Sequence, residues 1–123
     1  MNKYIAIKNW TTDYPNPLIL KLGQNAKVDN SITENNPNWQ GWAWCITNEN
    51  AGWTPIQILN VIGSVSEKYS DVLVLEDYSA QELNIEIGDT VLGDRKLNGW
   101  LWCTKDNLNF GWVPLENIEI ICE

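Results

Sequence analysis

Histidine is absent from the 123 residues, and Lys and Arg together number eight against sixteen Asp and Glu, a formal net charge of −8. Each shortage removes a class of function. Without imidazole the commonest general base is missing, and a cysteine nucleophile has no His to activate it. Without clustered cations, nucleic acids and anionic membrane surfaces are poor partners, because phosphate binding rests on grouped Lys and Arg. No apolar run approaches the ~18 residues of a membrane span, and residues 1–9 carry no signal-peptide core, so a cytoplasmic protein is expected. Cysteine is scarce as well. Three residues, an odd number, argue against a disulfide framework, so Cys45 and Cys103 read as buried free thiols and Cys122 carries no signal. Neither a P-loop nor a nucleophile motif nor the dense acids of a calcium loop occurs, and the carboxylates of Asp77, Glu82 and Asp89 fall in loops. A non-catalytic chain with no metal and no cofactor is the expectation.

What the chain has in abundance is tryptophan, eight in all. Six of them stand in a repeat. Gly41-Trp42-Ala43-Trp44-Cys45 leads to Ala51-Gly52-Trp53-Thr54-Pro55, and Gly99-Trp100-Leu101-Trp102-Cys103 leads in the same order to Phe110-Gly111-Trp112-Val113-Pro114. Within each copy the residues alternate aromatic with aliphatic or small, the period of a strand packed on both faces, and polar turn residues separate the two runs. Each copy therefore predicts a β-hairpin, and the pair predicts two copies of one small all-β domain.

The first copy opens on the strand-like Tyr4-Ile5-Ala6-Ile7, passes a proline-bearing loop over Thr11–Pro17, resumes at Leu18–Leu22, and runs through an Asn-rich loop to Trp39. Gly63–Lys68 reads as a linker. The expected domains are residues 1–62 and 69–123.

The second copy carries Val74-Leu75-Glu76-Asp77-Tyr78-Ser79-Ala80, then Leu83-Asn84-Ile85-Glu86-Ile87-Gly88-Asp89, the Trp hairpin and Gly111-Trp112-Val113-Pro114. In that order the elements resemble the Src homology 3 (SH3) family, whose pattern is an Ala-Leu-Tyr-Asp-Tyr strand end, an acidic loop, an apolar run into Gly-Asp, a Trp and a Gly-aromatic-Val-Pro. The first copy is similar with longer loops, Ala6–Trp10 standing for the strand end. The resemblance implies two tandem SH3-like barrels that bind protein or peptide ligands, proline-rich or basic segments being the expected class. Carried over by residue, it places one groove at Tyr78, Glu82, Trp100, Trp112, Pro114 and Asn117, and a second at Trp10, Trp42, Trp53 and Pro55. Glu76 and Asn117 stand where groove aromatics are expected, Lys8 and Ile58 do so in the first copy, and Pro17 replaces the loop acid. These departures keep an alternative open: an acidic partner that binds or neutralises one folded protein through a Trp-rich surface. Trp44 and Trp102 share the groove face by alternation, and Trp39 is a candidate rim contact.

Overall fold

The computed structural model describes residues 1–14, 16–32, 41–64 and 66–121. Twelve strands and short 3-10 turns account for the regular structure of these residues. No helix among them is long and apolar enough to cross a membrane. The fold is all-β, as the alternation of the tryptophan repeats predicts, and its antiparallel sheets are consistent with the SH3-like barrels that the resemblance implies.

The strands are β1 (Asn2–Ala6), β2 (Ile19–Leu20), β3 (Asn25–Asp29), β4 (Trp42–Ile46), β5 (Ala51–Pro55), β6 (Leu59–Ser64), β7 (Tyr69–Val74), β8 (Tyr78–Ser79), β9 (Thr90–Leu97), β10 (Trp100–Thr104), β11 (Phe110–Pro114) and β12 (Ile118–Ile120). Both expected hairpins form: Trp44 faces Trp53 across β4 and β5, and Trp102 faces Trp112 across β10 and β11. Asn98 and Gly99, at φ 49° and 87°, close β9 onto β10. Two consecutive left-handed residues give a two-residue loop the twist that antiparallel strands need.

The strand orders overturn the expected division of the chain. One sheet runs β11-β10-β9-β1-β12 and the other β5-β4-β3-β7-β6, all neighbours antiparallel. The first strand of each copy thus completes the sheet of the other copy. The compact units are Met1–Pro15 with Gln81–Glu123, and Asn16–Ala80; residues 1–62 and 69–123 are not the units. Gly63 and Ser64, read as part of a linker, instead belong to β6 and pair with β7, and Ser66 N donates to Tyr69 O. The chain passes from one unit to the other within the two loops that follow the first strand of each copy.

One charge pair favours this exchange modestly. In the second unit Asp71 on β7 faces Lys27 on β3, and the two side chains meet at 2.8 Å. In the first unit the equivalent place, one residue before the inward-facing position, is held by Lys3, which faces Leu92. Closing each copy on its own first strand would set Lys3 opposite Lys27, and like charges directly opposed destabilise a ladder.

Each unit has its own core. Tyr4, Ala6, Leu83, Ile85, Val91, Leu101, Cys103, Val113 and Ile118 form the first. Leu18, Leu20, Ala26, Cys45, Val72 and Val74 are buried in the second. The glycines before Trp53 and Trp112 have a packing reason. A Cβ on Gly111 would lie 2.6 Å from Leu83 N, and one on Gly52 would lie 2.9 Å from Leu18 Cβ, so only glycine lets the returning loop strand cross the hairpin.

Candidate aromatic docking site

In the first unit the segment after β1 delivers Trp10. Its main chain exchanges two hydrogen bonds of 2.9 Å with Ile85, which fixes where the side chain leaves the backbone. The indole stands edge-on to Trp100, with ring centroids 5.3 Å apart and planes at 81°, and its Nε1 donates to Glu82 Oε1 at 3.0 Å. Glu82 is positioned by its neighbours: Trp112 N donates to Gln81 O at 2.9 Å and Leu83 N to Trp112 O at 3.1 Å. Trp112 lies edge-on to Trp102 at 5.3 Å, and Trp102 stacks on Phe110 at 6.3 Å with planes 13° apart. Edge-to-face and offset stacks are the favoured arrangements of aromatic quadrupoles.

Burial separates wall from rim. Trp100 is 1% exposed, Trp112 4% and Asn117 4%, and Pro114, the cross-strand partner of Trp100, is buried too. The half-buried members are Trp10, Glu82, Trp102 and Phe110. Asn117, expected as a weakened groove position, fastens the chain instead. Its Nδ2 donates to Asn9 O at 3.0 Å, and its carbonyl accepts from Ile7 N and Lys8 N. Phe110 was not anticipated from the sequence. The signal was there, since a residue two before Trp112 in the hairpin lies diagonal to Trp102 and within reach of a large ring.

The second unit gathers Trp42, Trp53, Pro55 and Tyr78. Trp42 faces Pro55, Trp44 stands edge-on to Trp53 at 5.1 Å, and the buried Tyr78 hydroxyl donates to Trp53 O at 2.9 Å. Trp53 is 6% exposed and Tyr78 8%, whereas Trp42 and Trp44 are half-buried. Trp39 lies outside the described residues. The exchange therefore regroups the expected sites: Trp10 joins Glu82, Trp100, Trp112, Pro114 and Asn117, and Tyr78 joins Trp42, Trp53 and Pro55. Closure of each copy on itself would instead pair Tyr78 with Trp100 and Trp10 with Trp42, the grouping the sequence alone suggests.

Burial pushes the Glu82 carboxyl up to about 7, against hydrogen bonds from Trp10 and Thr12 that lower it, and the Asp13 charge raises it further. An ordinary glutamate carboxyl titrates near 4.5. With the folded value above the unfolded one, the folded state binds the extra proton between these limits, so stability falls as pH rises through the window. No histidine competes there. Melting temperature is expected to be higher at pH 5 than at pH 8, and Glu82→Gln, which keeps the acceptor for Trp10, should flatten that difference. A wild-type melting temperature that rises with pH over the window would refute the assignment. Asp29 and Asp106 are held below the ordinary carboxylate range, chiefly by hydrogen bonds from Ser31 and from the Asn109 backbone respectively, so they titrate only at more acid pH.

Cys45 and Cys103 are buried free thiols, pushed up by desolvation to about 11 and about 12. Thiolate chemistry at neutral pH is therefore suppressed. Among the described residues no three His, Cys, Asp or Glu side chains group as metal ligands would.

Comparison with known proteins agrees with the all-β, SH3-like fold class. Residues 3–62 match the family model of the variant SH3 domain, a family of non-catalytic protein-interaction modules. The matched stretch crosses from the first unit into the second. The chain is also similar to the human SH3 and PX domain-containing protein 2B, 27% identical over 130 residues that take in 97% of this chain. It spans 14% of the length of that relative.

Proposed function

We propose that the chain is a non-catalytic module that binds protein or peptide ligands, and that the first unit carries its docking site. The observation that supports this is the half-buried row of Trp10, Glu82, Trp102 and Phe110 over a wall of Trp100, Trp112 and Pro114. It combines flat apolar faces with one carboxylate, the chemistry that holds an extended apolar segment and selects a cationic side chain at one end. The second unit presents Trp42 and Trp44 but has Pro17 where a loop acid would stand, so its ligand should be more hydrophobic than cationic.

The test is a two-dimensional NMR titration of labelled protein with proline-rich peptides bearing basic or acidic ends, following the tryptophan indole signals. Shifts at Trp10 and Trp102 with the basic peptide are expected. An unchanged spectrum at millimolar peptide would defeat linear-segment docking. The deep burial of Trp100 and Trp112 favours a second reading, a folded partner that meets only the Trp102–Phe110 stack. A captured partner whose binding is lost in Trp102→Ala but not in Glu82→Gln would establish that one.

A further inference from the structure

We propose that Trp10 is a plug: its indole fills the space between Trp100 and Glu82 in the first unit and must rotate away before a cationic side chain reaches the carboxylate. The inference deepens the docking site proposed above and rests on it. Glu82 is half-buried, and among the described residues no ion pair involves it. Its partners are neutral donors, the Trp10 N–H and Thr12, and the charge acting on it is the like charge of Asp13. A half-buried carboxylate in that setting gains from an incoming cation. The Trp10 N–H already occupies one of its two oxygens, and the indole lies against the carboxyl group.

Strand exchange brings the plug to this barrel. In the second unit the position equivalent to Trp10 is Tyr78, whose hydroxyl is committed to Trp53 O, and the position equivalent to Glu82 is Pro17. Closure of each copy on itself would put Tyr78 beside Glu82 and Trp10 beside Pro17. Exchange instead sets the larger ring, with its N–H donor, against the barrel's loop acid. Because the Trp10 backbone is tied to Ile85 in both directions, release needs only side-chain rotation and leaves the sheet intact. The ligand must therefore replace a hydrogen bond to a charged acceptor, which lowers affinity about tenfold relative to an open site.

The experiment compares wild type, Trp10→Phe and Trp10→Phe/Glu82→Gln. The probes are a proline-rich hexapeptide ending in arginine and the same peptide ending in norleucine, each titrated by calorimetry. Phenylalanine keeps an aromatic ring on the core and removes the donor, so the variant should fold, which its circular dichroism and melting curve check. Expected is a gain of about tenfold for the arginine peptide in Trp10→Phe, well beyond any change in affinity for the norleucine peptide, and loss of that gain in the double variant. In wild type, saturating arginine peptide should also move the Trp10 indole proton to the position of a free N–H. Equal affinity of wild type and Trp10→Phe for the arginine peptide would overturn the plug and leave peptide docking standing. Binding of neither peptide by either protein would overturn both.

Discussion

Residues 16–80 expressed alone are expected to unfold in one cooperative transition, whereas residues 1–62 are expected to be far less stable. The longer fragment contains β2 to β8, hence all five strands of its main sheet, the buried Leu18, Leu20, Val72 and Val74, and the Tyr78 hydroxyl bond to Trp53. It is a barrel whose chain begins and ends in the loop where exchange occurs. Residues 1–62 lack β7, the strand between β3 and β6, and closing the gap with β1 opposes Lys3 to Lys27. The difference in stability between the fragments should be several kcal/mol, since a missing central strand removes Val72 and Val74, each fully buried, at about 1.5–3 kcal/mol apiece. Urea denaturation followed by tryptophan fluorescence measures it. Fragment 1–62 as stable as 16–80 would mean that each copy closes on itself and that exchange is not required.

Trp100→Ala should cost about 3–5 kcal/mol of stability, the range for deleting a buried aromatic ring. Trp100 is 1% exposed, packed edge-on by Trp10 and opposed by Pro114, so the cavity left has little means of collapse. Trp102→Ala should cost less, because its ring is half-buried and loses chiefly its contacts to Phe110 and Trp112. Thermal melts of the two variants rank them directly. A Trp100→Ala protein with unchanged melting temperature and lost ligand binding would instead make Trp100 an open contact surface.

Much of this was legible in the residues. The repeated Trp-x-Trp-Cys and Gly-Trp runs specified two hairpins, because side-chain alternation and a polar turn are local properties. The buried thiols followed from their inward parity beside small neighbours. Glu82 was readable as a loop acid and Trp10 as a groove aromatic, but their hydrogen bond was not, since it joins residues 72 apart through a pairing no local pattern encodes. Asn117 misled for a related reason: as a residue type it looked like a lost aromatic, and only its buried bonds to the chain after β1 show it as a fastener.

The sequence by itself determined the all-β class, the two copies, the aromatic inventory and the acidity, all of which depend on composition and short-range periodicity. Tertiary structure alone decided which copy's first strand completes which barrel, and hence which aromatics share a site. The two copies carry interchangeable elements, so local preference is satisfied by either closure. The two closures differ in cross-strand terms such as Lys27 with Asp71 against Lys27 with Lys3, which exist only once strands from distant parts of the chain lie side by side.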